Sequence, residues 1–122
     1  METLFFQYPP CSTCRKAAKW LADHHIEVTT RHIVETPPSA QELGQWIARR
    51  GMPLQKFFNT SGQRYRELNM KERIPGSSPD ELIALLASDG MLIKRPLLVT
   101  DTHVLVGFDP KRWEETLCPQ SH

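Results

Sequence analysis

Two cysteines separated by two residues, in the segment Cys11-Ser12-Thr13-Cys14, are the most chemically distinctive feature of the sequence. A Cys-x-x-Cys pair supports either reversible disulfide chemistry or one half of a zinc site. Zinc needs about four ligands, and the histidines that would complete the set lack the usual second ligand pair: His24, His25, His32 and His103. The pattern therefore favours thiol chemistry without a metal.

The pair lies where a strand is predicted to end and a helix to begin. Residues 3–7 are short and aromatic-rich, which predicts a buried first strand, and a helix is predicted over residues 12–24. Because unpaired N–H groups and the helix dipole stabilise an anion at a helix start, we expect a lowered pKa for Cys11. Cys14 lies one turn along the same face, within disulfide reach. Cys11 is therefore the predicted nucleophile, and Cys14 the resolving cysteine.

Four neighbours of the two cysteines carry groups that suit a thiolate. Arg15 and Lys16 add positive charge. Ser12 and Thr13 are candidate substrate-binding residues, because N–H groups and hydroxyls at a helix start hydrogen-bond anions. Capping of the helix alone is the other interpretation of this pair.

A second informative segment is Lys94-Arg95-Pro96, which precedes a predicted strand. A proline in this position is compatible with an edge strand or a cis peptide bond. In the expected fold the segment lies beside Cys11, where Arg95 is a candidate catalytic residue that holds an oxyanion or the thiolate. A cis Pro96 would leave nearby backbone free to pair with an extended substrate. A solvated surface arginine is the alternative for Arg95.

The remaining segments predict the sheet that positions these residues. Residues 28–34 predict a second strand, residues 96–100 and 103–106 a β-hairpin, and Asp109 caps a last helix. The first strand-helix-strand unit requires a parallel pair with a right-handed crossover, and the hairpin adds antiparallel strands. The expected fold class is α/β, with a four-stranded mixed sheet flanked by helices in a single domain, residues 1–122.

An inserted helical block, about residues 39–90, separates the second strand from the hairpin. It begins with a capping box at Ser39, and Gly51 is the predicted C′ residue that ends its first helix. A break is predicted at residues 74–76. Another capped helix begins after Ser78, with a proline in its first position.

Composition narrows the functional classes further. The chain has 122 residues, of which 39% are hydrophobic and 24% charged, with a formal net charge of +1. This balance does not predict direct nucleic-acid or membrane binding, and the lack of a signal peptide predicts the cytoplasm. Three cysteines are too few for a secreted disulfide framework. Cys118 is interpreted as an inert thiol or as a resolving or glutathionylated cysteine.

Four ordered segments resemble the arsenate reductase family that also contains the Spx transcription regulators, over about residues 3–117. They are Cys11-Ser12-Thr13-Cys14-Arg15-Lys16-Ala17, Phe57-Phe58-Asn59-Thr60-Ser61-Gly62, Lys94-Arg95-Pro96-Leu97-Leu98-Val99 and Val106-Gly107-Phe108. The resemblance implies a thioredoxin-like (glutaredoxin-like) fold with an inserted helical block. It implies no metal or organic cofactor beyond glutathione or a thioredoxin or glutaredoxin partner as reductant.

The resemblance implies a role for Cys11, because glutathione-dependent arsenate reductases use a matching cysteine to attack arsenate. These enzymes bind the oxyanion with three arginines. Arg95 matches one of them. The second is expected where this chain has Asn59-Thr60-Ser61, and Gly107 occupies the neighbourhood of the third. Each missing charge-assisted contact costs about 1.5–3 kcal/mol. Efficient arsenate reduction is therefore not expected.

The Spx resemblance implies a different use of the same motif, as a disulfide switch in a regulator that binds the RNA polymerase α subunit. A glycine important for that contact falls near Gly51, which a plain helix cap explains equally. An arginine-rich surface suits an acidic partner or is simply solvated: Arg49, Arg50, Arg64, Arg66 and Arg73. Three hypotheses follow: a thiol-dependent oxidoreductase acting on a small-molecule thiol or oxyanion, a redox-switched regulator, and an arsenate reductase.

Overall fold

A computed structural model of the protein describes residues 3–50 and 53–118. Its four-stranded sheet has the order β2-β1-β3-β4, with strands Leu4–Gln7 (β1), Thr29–His32 (β2), Leu97–Val99 (β3) and Val104–Val106 (β4). β1 is parallel to β2 and antiparallel to β3, and β3 is antiparallel to β4. The predicted mixed sheet flanked by helices is confirmed, and each strand is slightly shorter than predicted.

Helices lie between the strands and after the last strand, in the predicted order. They are α1 (Ser12–Asp23), α2 (Ala40–Arg50), α3 (Gln63–Glu67), α4 (Met70–Gly76), α5 (Pro79–Ser88) and α6 (Pro110–Leu117), with short 3-10 turns at Leu54–Phe57 and Gly90–Leu92. In the part of the chain that the structure describes, every helix is too short or too polar to cross a membrane.

Adjacent phenylalanines of β1 face opposite sides of the sheet, because side chains alternate along a strand. Phe6 packs edge-on against Trp46 of α2, with 5.7 Å between the ring centroids, in a core shared with the inserted helices. Phe5 packs against Trp113 of α6 at 6.5 Å, in a second core that includes residues of α1. Full burial of such a side chain is worth about 1.5–3 kcal/mol, so each layer of helices is held to its own face.

Local capping signals predict several helix starts correctly. Ser39 and Glu42 exchange hydrogen bonds between their side chains and backbone N–H groups at 3.0 and 2.9 Å. Ser78 forms the same capping box at α5, and Asp109 accepts backbone N–H groups at the start of α6. The predicted C′ role of Gly51 lies outside the described residues.

The predicted break at residues 74–76 is wrong, because α4 continues through Pro75 to Gly76. Pro75 lacks an N–H donor and its ring crowds the preceding turn, but this helix ends one residue later, so the cost falls on its last turn. The hydroxyl of Ser77 then donates to the carbonyl of Arg73 at 2.8 Å. That carbonyl therefore has a partner although the helix has ended.

The sheet register places three chain segments at one edge. Phe6 of β1 is opposite Leu97 of β3, and Leu97 is opposite Val106 of β4. The exit of β1 towards α1 therefore lies beside the segment that enters β3 and the segment that leaves β4. This edge carries the candidate site.

Candidate active site

A cleft of about 530 Å³ lies at this edge of the sheet. It is lined by Cys11, Thr13, Asn59, Ser61, Lys94, Arg95, Val106, Gly107, Phe108 and Asp109. The structure thus brings together three of the predicted site residues, Cys11, Thr13 and Arg95. Cys14 is fully buried next to Cys11.

Cys11 is the N-cap residue of α1, and its N–H donates to the carbonyl of Tyr8 at 2.8 Å. Partial burial acts to raise the pKa of this thiol. Hydrogen bonds from the Cys14 N–H, the Cys14 thiol and the Thr13 N–H, together with the charge of Arg95, more than offset burial. The pKa of Cys11 therefore lies below its usual value, which favours the nucleophilic thiolate.

Cys14 has the opposite electrostatic environment. Burial raises the pKa of its thiol, and the hydrogen bond to Cys11 and the charge of that thiolate raise it further, to about 11. A hydrogen bond from the Tyr8 N–H to the Cys14 sulfur, 3.4 Å long, and the charge of Arg95 offset only part of this effect. Both cysteines are free thiols. One turn of helix therefore contains a thiol prepared to ionise and a thiol held protonated.

Arg95 is half-buried at the cleft wall, and its guanidinium contacts an aromatic ring and backbone carbonyls. It lies 4.9 Å from the centroid of the Tyr8 ring, and it donates to the carbonyl of Ile93 at 3.3 Å. Such a cation–π contact is worth about 0.5–1 kcal/mol at an exposed site. The charge of Arg95 helps to lower the pKa of Cys11, so this arginine acts on the thiolate electrostatically.

Pro96 and Ser12 are predicted substrate-binding residues that do not line the cleft. The Arg95–Pro96 peptide bond is cis. The Pro96 carbonyl accepts the N–H of Gly107 at 2.8 Å, so this one backbone group is already paired within the chain. Ser12 is exposed at the start of α1. The binding roles of both residues stay predictions.

The structure adds cleft residues that sequence reasoning did not single out for a role: Lys94, Asn59, Ser61 and Gly107. Asn59 and Ser61 are hydrogen-bonded to each other at 3.3 Å and form a neutral wall. They and Gly107 occupy the positions where the family resemblance predicted further arginines. That resemblance was therefore the sequence signal that could have placed these residues in the cleft. Lys94 supplies a second cation beside Arg95.

Tyr8 is another residue that the sequence did not reveal, although it contacts all three predicted catalytic residues. Its carbonyl accepts the Cys11 N–H, its N–H donates to the Cys14 sulfur, and its ring lies under the Arg95 guanidinium. Two of these contacts use the backbone, so the side-chain type offers no signal for them. The third depends on the aromatic ring.

Two of the histidines that a zinc site would need are engaged elsewhere. His24 stacks on Trp20 with 3.9 Å between the ring centroids, and Nδ1 of His32 accepts the N–H groups of Val34 and Glu35 at 3.1 and 3.2 Å. Within residues 3–50 and 53–118, no three cysteine, histidine or acidic side chains group as metal ligands.

Other charged or thiol residues lie away from the reacting sulfur. The exposed Arg15 donates to the carbonyl of Pro9 at 3.0 Å. Cys118 is the C-cap residue of α6 and does not line the cleft. Arg64 of the predicted arginine-rich surface pairs with Asp89 at 2.8 Å. Gly51 and the side chains of Arg49 and Arg50 lie outside the described residues.

Comparison with known proteins agrees with this geometry. The model of the ArsC family matches residues 6–116. Bacillus subtilis YusI, an uncharacterized protein, is 53% identical over 94% of this chain and 98% of its own length. The Bacillus subtilis regulatory protein MgsR is 30% identical over 89% of this chain and 85% of its own. The global transcriptional regulator Spx of Streptococcus pyogenes is 28% identical, with coverage of 89% and 79%.

Solved structures show the same fold. A crystal structure of an ArsC family related protein from Bacteroides fragilis superposes with a TM-score of 0.88 and 54% identity, covering 94% of this chain and 97% of that one. An arsenate reductase from Vibrio cholerae has a TM-score of 0.81 and 27% identity, with coverage of 94% and 97%. The similarity therefore extends over the sheet, the inserted helices and the cysteine-bearing turn.

Proposed function

Because the chain belongs to the ArsC family, we propose that it is a thiol-dependent oxidoreductase in which Cys11 is the nucleophile and Cys14 the resolving cysteine. One observation carries the proposal: Cys11 lines the cleft at the N-terminal end of α1 beside Arg95, and the buried Cys14 lies one turn further along the same helix. The pKa of Cys11 is lowered, and that of Cys14 is raised to about 11. One thiol is therefore ready to attack while the other stays protonated.

In the first step, the Cys11 thiolate attacks one sulfur of a disulfide R–S–S–R. A Cys11–S–S–R bond forms, the original S–S bond breaks, and one R–S⁻ leaves. Arg95, at the wall of the same cleft, stabilises the negative charge that develops on the departing sulfur. The helix N–H groups of Thr13 and Cys14 stabilise the attacking thiolate.

In the second step, Cys14 attacks the Cys11 sulfur, its proton goes to the released R–S⁻, and a second R–S⁻ leaves. The product is a Cys11–Cys14 disulfide. Burial is the main cause of the high pKa of Cys14, but the hydrogen bond to Cys11 and the charge of the Cys11 thiolate also raise it. These two contributions end when Cys11 becomes part of the mixed disulfide, so the resolving thiol ionises more easily when it is needed.

The disulfide form must then accept two electrons from an external thiol. Glutathione, or a thioredoxin or glutaredoxin partner, can supply them by the reverse exchange. Neither step requires a resident metal or an organic cofactor. The substrate class is a small-molecule disulfide or an oxidised small thiol.

The test is a redox titration followed by mass spectrometry. Mild oxidation of the reduced protein is expected to remove two hydrogens and to link Cys11 to Cys14 in one peptide. Cys14→Ser is expected to stop at a mixed disulfide on Cys11. Cys118→Ser is the matched control, and it should form the intramolecular disulfide as the wild type does. If oxidant leaves Cys11 and Cys14 unlinked, the proposal fails.

The similarity to MgsR and Spx favours a second candidate, a redox-switched regulator that binds the RNA polymerase α subunit. The same disulfide would then act as a signal, and the reduction potential of the pair would set its sensitivity. The discriminating measurement is binding of the oxidised and reduced protein to the isolated C-terminal domain of the α subunit. No binding in either redox state removes this candidate.

A third candidate is arsenate reduction, which the Vibrio cholerae neighbour performs by its name. In this chain the cleft has Lys94 and Arg95 as cations, and Asn59 and Ser61 form a neutral wall. A dianion loses charge-assisted contacts worth about 1.5–3 kcal/mol each. We expect at most a weak rate with glutathione and glutaredoxin. A robust arsenate-dependent rate that Cys11→Ser abolishes would contradict this expectation.

A further inference from the structure

A second cavity, of about 290 Å³, adjoins the Cys11 cleft. It is lined by Pro53, Lys56, Lys94, Val106 and Arg112. Lys94 and Val106 also line the cleft, so the two cavities share a wall. We call this second space the basic cavity.

The three charged residues of the basic cavity come from distant parts of the chain. Lys56 belongs to a 3-10 turn of the inserted block, Lys94 precedes β3, and Arg112 lies on α6. Across residues 3–50 and 53–118, the ion pairs of the structure involve none of these three side chains. All three side chains are exposed, and the acidic Asp109 lines the adjoining Cys11 cleft instead. A cavity whose lining includes three cations and no carboxylate attracts an anion.

Gly107 allows Lys94 to border both cavities. A Cβ atom at Gly107 would lie 3.2 Å from Cε and 3.8 Å from Nζ of Lys94, and the residue has a positive φ of 79°. The lysine side chain therefore lies against the glycine backbone. Because a larger residue would crowd it, the absence of a side chain at Gly107 helps to set the position of this ammonium group.

We propose that the basic cavity binds the anionic end of the disulfide substrate, a carboxylate or a phosphate, while Cys11 attacks its sulfur. This inference rests on the function proposed above and specifies the substrate class as an anionic low-molecular-weight disulfide. Lys94 contacts the substrate at the boundary of the two cavities, and Lys56 and Arg112 bind the far end.

The reaction is ordinary thiol–disulfide exchange with one added contact. The Cys11 thiolate forms a bond to the nearer sulfur, the S–S bond breaks, and the other half leaves as R–S⁻. The anionic group remains bound through the exchange and orients the S–S bond. Binding of the anion raises the rate without altering the balance of electrons or protons.

The test compares neutral and anionic disulfide probes in a Cys14→Ser background, in which the mixed disulfide on Cys11 accumulates. The carboxylate pair is hydroxyethyl disulfide and dithiodipropionate. The phosphate pair is pantethine and its phosphorylated form. Second-order rate constants for mixed-disulfide formation are measured by mass spectrometry, and each anionic probe is expressed relative to its neutral partner.

Lys56→Gln and Arg112→Gln are each expected to lower the anionic-to-neutral ratio about fivefold, the effect of one charge at contact distance in water. The matched control is Lys71→Gln, which removes an exposed lysine that lines a separate cavity in the helical block. It should leave the ratio unchanged. Added salt should lower the wild-type ratio, because exposed charges are screened.

A decrease limited to one anionic probe identifies the anion as carboxylate or phosphate and supports the proposal. If the ratios of both probe pairs are unchanged in both variants while the neutral probes still react, the proposed role of the basic cavity is wrong. The proposed function is then unaffected. If no probe forms a mixed disulfide on Cys11, the proposed function itself fails. Should a variant fail to fold, the salt titration of the wild type tests the same inference, and a ratio that salt does not lower overturns it.

Discussion

Two cysteines of similar partial exposure lie at opposite kinds of helix end. Cys11 is at the N-terminal end of α1, where the N–H groups of Thr13 and Cys14 bind its sulfur. Cys118 is at the C-terminal end of α6, where its own N–H donates to the Glu114 carbonyl at 2.9 Å. An N-terminal end presents donors and partial positive charge, whereas a C-terminal end presents acceptors. Helix polarity, together with the Cys14 thiol and the charge of Arg95, therefore favours Cys11 as the nucleophile.

The largest expected effect is on selective alkylation. At neutral pH and limiting iodoacetamide, we expect Cys11 to be modified roughly tenfold or more faster than Cys118, because only the thiolate reacts. Cys11→Ser should remove the fast phase completely, and Cys118→Ser should keep it. Peptide mapping by mass spectrometry measures both rates. Equal alkylation rates at the two cysteines would contradict the expected higher reactivity of Cys11.

The second prediction concerns the stability of the fold at alkaline pH, where Cys14 and Cys11 are expected to contribute differently. The folded-state pKa of Cys14, about 11, lies above the ordinary thiol value, so the folded state holds this proton more tightly. Its contribution to stability is complete below the ordinary thiol pKa and is lost as the pH rises towards 11. The loss is about 1.4 kcal/mol per pH unit.

Cys14→Ser removes this titration, because serine does not ionise in that range. Urea unfolding of the wild type and the variant, at several pH values between neutral and 11, gives the two slopes. Above the ordinary thiol pKa the contribution of Cys11 is constant, since its lowered pKa confines its own change to lower pH. Parallel pH profiles for the two proteins would contradict the assignment of a raised pKa to Cys14.

A third prediction concerns Arg95. Its positive charge helps to lower the pKa of Cys11, so Arg95→Met should raise that pKa and move the alkylation profile to higher pH. At neutral pH we expect a severalfold lower rate, with the alkaline plateau unchanged. Arg15→Met is the matched control, since this exposed guanidinium binds the Pro9 carbonyl. Identical shifts of the alkylation profile in the two variants would show that the position of Arg95 beside Cys11 has no specific effect on the thiol.

The smallest effect is expected at Tyr8, whose ring lies under the Arg95 guanidinium. Tyr8→Leu removes the cation–π contact, worth about 0.5–1 kcal/mol, and should slow alkylation of Cys11 about threefold at neutral pH. Tyr8→Phe retains the ring and should behave as the wild type. The backbone contacts of residue 8 are common to both variants. A slow Tyr8→Phe variant would instead assign the effect to the hydroxyl.

The sequence by itself determined the features that depend on neighbouring residues. The apolar start followed by Cys-x-x-Cys predicts a strand-to-helix turn, and thiol chemistry at that turn follows from unpaired N–H groups. The succession of strands and helices along the chain and the capping box at Ser39 follow from equally local patterns. Pro75 is the exception, because a proline signal alone does not show that a helix ends just after it.

The expected fold already placed Arg95 beside Cys11, but only the tertiary structure decided which other distant groups surround the sulfur. Arg95, Lys94 and Asn59 reach the cleft through the register of β1 with β3 and through the inserted helices. The basic cavity likewise combines Lys56 and Arg112 from elements far apart in the chain. Burial of Cys14 and its raised pKa also depend on packing, because desolvation is a property of the whole surroundings and not of the motif. The motif therefore specifies the reaction, and long-range packing divides the roles between its two thiols.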